Sequence, residues 1–70
     1  MQQVRECFVR VKEGEWFCRA PCSIEGPTGL VGLTPGVMYR KGRLHMGLDV
    51  GAVLEDWHAT GQLPPNISFR

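Results

Sequence analysis

The chain has 70 residues, of which 43% are hydrophobic and 21% charged, and its formal net charge is +1. This composition argues against an intrinsically disordered chain, and the near-neutral net charge is too small to imply nucleic-acid binding by itself. Seventy residues form one small domain with a limited core. Nine glycines and five prolines favour several short strands joined by turns over a helical bundle.

The first predicted element is a strand over residues 4–12, followed by a two-residue turn at Glu13-Gly14 and a second strand over residues 15–20. A two-residue loop sets the register of this hairpin, and alternation then sorts the side chains into two faces. The core face is predicted to hold the pairs Val11–Trp16, Val9–Cys18 and Cys7–Ala20. The opposite face is predicted to hold Phe8, Arg10, Phe17 and Arg19.

Short strands over residues 22–25 and 30–33 follow, separated by a loop at 26–29. The turn Thr34-Pro35-Gly36 leads into a second predicted hairpin over residues 37–46, with Lys41-Gly42 as its turn. Its core face is predicted to hold Val37, Tyr39, Leu44 and Met46, and its other face Met38, Arg40, Arg43 and His45. Arg40 and Arg43 would then face each other, an unfavourable pairing that an anionic partner or nearby carboxylates would relieve.

One helix is predicted over residues 49–60. Asp49 is a good N-cap, Gly61 is a typical C-terminal stop, and apolar residues recur at helical spacing. The stripe consists of Val50, Val53, Leu54 and Trp57. The fold class is therefore α+β: a mainly antiparallel sheet of four or five strands, built from hairpins at 4–20 and 37–46, with one C-terminal helix. The alternative is a partly closed small barrel of the SH3-like type.

Residues 1–63 are expected to form the domain. Residues 64–70 are expected to form a proline-containing tail, because Pro64-Pro65 cannot continue a helix. Three cysteines, an odd number, fit poorly with a secreted disulfide framework. No apolar run approaches membrane-spanning length, so we expect a cytoplasmic chain with no membrane partner.

A zinc-binding domain is one alternative function, with Cys18 and Cys22 as weak candidate ligands. Their separation is a poor match to the two close ligand pairs of structural zinc sites, and alternation directs Cys18 into the core. Buried free thiols that pack as small hydrophobes are the favoured interpretation, so no metal and no cofactor are expected. No nucleophile, base and orienting group come together in the sequence, and no catalytic residue or enzymatic function is predicted.

Two surfaces are candidate partner-binding sites. The first is the predicted hairpin face of Phe8, Arg10, Phe17 and Arg19, which would be an exposed apolar patch if only one side of the sheet is covered. The second is the basic hairpin, with Tyr39, Arg40, Lys41, Arg43 and His45. The favoured function is a small binding module that contacts another protein or a second copy of itself.

Nucleic-acid binding through the basic 39–45 hairpin is the other alternative. The architecture is similar to that of the small phage and transposon arm-binding domains, in which a three-stranded sheet followed by a helix enters the DNA major groove. The resemblance implies phosphate contacts from cations such as Arg40, Lys41 and Arg43. The acids of the following helix, Glu55 and Asp56, would reduce the positive potential there.

Overall fold

The computed structural model describes residues 4–27 and 29–69. Within them the chain forms two three-stranded antiparallel sheets and two helices. The elements are α1 (Val4–Cys7), β1 (Phe8–Lys12), β2 (Glu15–Cys18), β3 (Cys22–Gly26), β4 (Gly29–Leu33), β5 (Met38–Arg40), α2 (Val50–Thr60) and β6 (Ser68–Phe69). The predicted α+β class is confirmed, but the strands divide into two sheets and form no closed barrel among the described residues.

The first sheet has the order β1-β2-β5 and the second the order β4-β3-β6. Helix α2 packs on β2 and β5, so it covers the inner face of the first sheet. Phe8 joins the two sheets, because its ring makes edge-to-face contacts with Tyr39 of the first sheet (6.1 Å) and Phe69 of the second (6.0 Å). Ile24, Val50 and Leu54 are fully buried between these layers.

The first hairpin forms, but the predicted register of β1 is wrong. Lys12 pairs with Glu15 as the Glu13-Gly14 turn requires, yet a β-bulge at Val11 places Arg10 opposite Trp16. One extra residue in a strand moves each preceding side chain to the opposite face of the sheet. Phe8 is therefore buried, whereas Val9 and Val11, predicted to lie in the core, are 42% and 52% exposed.

The predicted strand over residues 4–12 is also too long, because its first four residues form α1. Cys7 is buried as expected, but it is buried at the end of this helical turn and not as part of a strand.

The predicted hairpin over residues 37–46 forms only its first strand, β5. The Lys41-Gly42 turn is present, with the Arg43 N–H donating to the Arg40 carbonyl at 3.1 Å, but no strand returns along β5. Instead β5 pairs with β2, and Leu44 and Met46 are 71% and 70% exposed. The expected core face of this hairpin is therefore wrong except at Tyr39.

Helix α2 agrees with its prediction. Asp49 caps it through a 3.0 Å hydrogen bond from the Ala52 N–H, and Gly61 ends it in the left-handed conformation, with φ 78°. The chain then returns along the second sheet, where β6 pairs with β3. The predicted ranges 1–63 and 64–70 include residues 1–3, 28 and 70, which lie outside the described residues.

Candidate contact surface on the outer face of the first sheet

The face of the first sheet opposite α2 carries a row of apolar side chains. The cross-strand register places Val9 beside Phe17 and Phe17 beside Met38. Val9 is 42% exposed, and Phe17 and Met38 are half-buried. Three strands spaced about 4.8 Å apart make this row roughly 10 Å long. We call Val9, Phe17 and Met38 the outer apolar row.

A charged row lies directly beside the outer apolar row on the same face. Glu15, in the central strand, forms ion pairs with Lys12 at 3.3 Å and with Arg40 at 3.5 Å. Both cationic side chains are largely exposed, at 69% and 51%, whereas Glu15 is 23% exposed. Because one carboxylate faces two cations, this row has an excess of positive charge.

Arg19 follows directly after the last residue of β2. Its N–H donates to the Cys7 carbonyl at 2.8 Å, and the residue is exposed. Its Nε also donates to the Glu6 carbonyl at 3.2 Å. We call the outer apolar row, the charged row and Arg19 together the outer sheet surface.

The four residues predicted to share a contact face are thus divided between two faces. Phe17 and Arg19 belong to the outer sheet surface, whereas Phe8 is buried and Arg10 lies on the inner side with Trp16. Val9 and Val11 were missed as surface residues, because nothing local in the sequence marks the bulge. The alternation of β2 correctly separated Phe17 from Trp16.

Arg10 has a structural partner on the inner face. Its Nε and Nη2 donate to the two carboxylate oxygens of Glu55 in α2, at 2.9 and 3.0 Å. The indole N–H of buried Trp16 donates to the same carboxylate at 2.7 Å. Hydrogen bonds from Arg10, and then from Trp16, lower the pKa of Glu55 to about 2. This network joins α2 to β1 and β2.

The five candidates of the basic hairpin do not form one open surface. Tyr39 is buried, and its hydroxyl accepts a 3.0 Å hydrogen bond from the Thr34 N–H. Arg40 is paired with Glu15, and the ring of His45 packs edge-on against Tyr39 at 5.3 Å. Lys41 and Arg43 are exposed. An open groove of about 520 Å³ beside the turn is lined by Glu13, Gly14, Glu15, Arg40, Lys41 and Glu55, so its cations and carboxylates offset one another.

The three cysteines lie close together in the core. Cys7 and Cys18 are fully buried, Cys22 is nearly so, and all three are free thiols. The Cys18 thiol donates to the Ala20 carbonyl at 3.2 Å. Burial, together with hydrogen bonding to Cys7, raises the pKa of Cys22 to about 12. Within residues 4–27 and 29–69, no group of three or more His, Cys, Asp or Glu side chains is arranged to hold a metal ion.

None of the helices in the described part of the chain has the length and apolar character required to cross a membrane. Comparison of the chain with models of known protein families, with curated proteins and with solved structures found no match.

Proposed function

We propose that this chain is a small non-enzymatic binding module that uses the outer sheet surface for a protein–protein contact, with another protein or with a second copy of itself. The observation that carries the proposal is the partly exposed outer apolar row on a sheet whose other face is packed by α2. Large apolar side chains exposed together, with charges at their border, are typical of interaction sites.

The size of the domain supports the same function. A 70-residue chain buries a smaller fraction of its surface on folding than a larger domain does, and a partner would cover apolar area that the domain leaves open. Val9 and Val11 add to this area because the bulge turns them outward. Phe17 lies at the centre of the row, where buried aromatic side chains contribute most to binding.

Nucleic-acid binding through residues 39–45 draws less support. Tyr39 is buried and unavailable for stacking, and Arg40 is paired with Glu15. Lys41 and Arg43 alone would make few phosphate contacts, which predicts weak and shallowly salt-dependent binding.

The test compares complex formation by three forms of the full chain. A fluorescently labelled chain is sedimented alone and in clarified cell extract, as the wild type, as Phe17→Thr and as the control Leu30→Thr. Leu30 is 63% exposed on β4 of the second sheet, so its replacement removes apolar surface elsewhere. Thermal melts establish that all three are folded.

Faster sedimentation of the wild type and Leu30→Thr, lost in Phe17→Thr, is the expected result. Identical sedimentation of all three forms would refute the proposed function. Addition of a duplex DNA at low salt tests the alternative directly: a shift that Arg43→Ala removes and Phe17→Thr retains would move the function to the basic segment.

A further inference from the structure

The segment between β5 and α2 contains a tight turn with a methionine in an unfavourable position. The His45 N–H donates to the Leu48 carbonyl at 2.8 Å, and the Leu48 N–H donates to the His45 carbonyl at 3.0 Å. The two residues between them, Met46 and Gly47, have φ of 53° and 82°. Positive φ at both central residues is typical of a type I′ turn, whose first central position favours asparagine, aspartate or glycine. Methionine at this position is therefore unfavourable for folding.

Burial does not compensate for the conformation of Met46. The residue is 70% exposed, and Leu44, two positions earlier, is 71% exposed. Two residues span at most about 7 Å of chain, so both side chains leave the backbone within a short distance of each other. Residues held in unfavourable backbone conformations cluster at functional sites. A contact outside the chain accounts for a side chain that neither packs in the core nor suits its turn.

The turn is fixed to the rest of the domain on both sides. The ring of His45 packs edge-on against Tyr39 at 5.3 Å, and its Nε2 lies 3.2 Å from the Gly32 carbonyl oxygen. The Asp49 carboxylate, at the start of α2, accepts a 2.9 Å hydrogen bond from the Gly42 N–H. The segment is thus attached to β4, β5 and α2. A preorganised segment loses little conformational entropy when it binds.

Positive charge borders the two apolar side chains. Lys41 and Arg43 are exposed, and among the residues that the structure describes neither side chain has an ion-pair partner. The sequence over residues 26–48 contains no acidic residue. Lys41 also borders the groove with carboxylates beside the first turn, so Arg43 is the more available cation. We call Lys41, Arg43, Leu44 and Met46 the turn surface.

We propose that the turn surface binds a protein segment in which apolar side chains lie beside carboxylates. Leu44 and Met46 supply the apolar contact, and Arg43 pairs with a carboxylate at its border. Methionine suits such a contact because its unbranched side chain adapts to the shape of a partner. Two cations would make few phosphate contacts, so the exposed apolar side chains favour a protein over a nucleic acid. This contact is separate from the proposed function of the outer sheet surface, and neither depends on the other.

The test is an NMR titration of the isotope-labelled full chain with three short synthetic peptides. The first alternates leucine with glutamate, the second leucine with lysine, and the third serine with glutamate. The leucine–glutamate peptide is expected to shift the amide signals of residues 41–47 in a saturable manner. The other two peptides lack either the carboxylates or the apolar side chains, so each is expected to bind at least about fivefold more weakly.

Met46→Asn separates the contact from folding. Asparagine suits the first central position of this turn, so the midpoint of thermal unfolding is expected to rise. Its affinity for the leucine–glutamate peptide is expected to fall by about fivefold or more. A lower midpoint would show that the methionine stabilises the fold, and would overturn the argument from its conformation.

Two further variants complete the comparison. Arg43→Ala is expected to lower the affinity for the leucine–glutamate peptide by about two- to fivefold, with the larger effect at low salt. Val11→Thr is the matched control, because Val11 is 52% exposed on β1 and its replacement removes apolar surface elsewhere. Its affinity is expected to equal that of the wild type.

Unchanged amide signals of residues 41–47 with all three peptides would overturn the inference, and so would an affinity that Met46→Asn does not reduce. Shifts at these signals with duplex DNA or phosphatidylglycerol vesicles, but with none of the peptides, would also overturn it. Shifts confined to Val9, Phe17 and Met38 would support the proposed function and refute the turn surface. If the turn surface binds while Phe17→Thr sediments as the wild type does, this inference stands and the proposed function fails.

Discussion

Glu55 is the side chain whose replacement tests the packing of α2 most directly. Its carboxylate accepts two hydrogen bonds from Arg10 and one from the indole of Trp16, at 2.7–3.0 Å. Glu55→Gln keeps the size of the side chain and one acceptor oxygen, but it removes the negative charge and turns an amide group toward a donor.

The cost follows from the exposure of the partners. Hydrogen bonds to charged groups contribute about 1.5–3 kcal/mol, but the Arg10 side chain is 32% exposed, and solvent screening reduces such a contribution. We therefore expect Glu55→Gln to lower the free energy of unfolding at neutral pH by about 1–2 kcal/mol. For a domain of this size that corresponds to a fall in Tm of about 5–15 °C.

The pH dependence supplies the sharper part of the test. The pKa of Glu55 is lowered from 4.5 to about 2 in the folded chain, so the unfolded state binds a proton more readily. The stabilisation by the carboxylate is fully present above about pH 4.5 and is lost as the pH falls through about 2. The difference in the free energy of unfolding between the wild type and Glu55→Gln should accordingly shrink as the pH falls from about 4.5 to about 2.

The assay is thermal denaturation followed by far-UV circular dichroism at a series of pH values. Asp56→Asn is the matched control, because Asp56 adjoins Glu55 in α2 and is exposed. A difference between the wild type and Glu55→Gln that is independent of pH would refute the reasoning, as would an equal loss in Asp56→Asn.

Three other predictions concern a close backbone contact, the cap of α2 and the buried thiols. Gly51→Ala would place a Cβ within 2.8 Å of the Lys41 Cα and against neighbouring backbone. The free energy of unfolding measured by chemical denaturation should therefore fall by at least about 2 kcal/mol. Gly32→Ala is the control, and it should change this free energy little because the space around Gly32 is open. Asp49→Ala removes the helix cap and the 2.9 Å hydrogen bond that the Gly42 N–H donates to the Asp49 carboxylate, so the free energy of unfolding should fall by about 1–2 kcal/mol. Asp49→Ser can cap the helix but cannot reach Gly42, so it should recover part of this loss. Equal losses in the two variants would contradict the prediction. Because the pKa of Cys22 is raised to about 12, a thiol reagent should modify the folded chain slowly and the urea-unfolded chain fast, and rapid modification of the folded chain would show that the thiols are accessible.

Local patterns in the sequence predicted the elements whose signals lie within a few residues. Asp49 and Gly61 delimit α2 because capping is a short-range hydrogen-bonding effect. The Glu13-Gly14 turn and the alternation of β2 also follow from neighbouring residues, so Trp16 and Phe17 were assigned to opposite faces correctly.

The register of β1 was not predictable in the same way. The bulge at Val11 is favoured because it buries the ring of Phe8 between two sheets and brings Arg10 to Glu55, 45 positions away in the chain. Neither contact is visible in the local alternation of residues 4–12, which fits both registers. The candidate surface changed with the register, because Val9 lies on the outer face of the sheet and Phe8 lies in the core.

The prediction of a second hairpin over residues 37–46 was wrong for a related reason. β5 pairs with β2 along one edge, and the return strand expected over residues 43–46 does not form along its other edge, because the chain turns at Met46-Gly47 toward the helix. Both turn residues have positive φ, a conformation that sequence reasoning does not expect of methionine.

The sequence by itself determined the α+β class and the helix with its ends, because these depend on composition, capping and short-range periodicity. The tertiary structure alone decided that there are two sheets and which face of β1 is open. Both depend on pairings between segments that are distant in the chain. The relative free energies of these pairings depend on the contacts made by the whole assembled core. The outer sheet surface, from which we argue the proposed function, belongs to this second group.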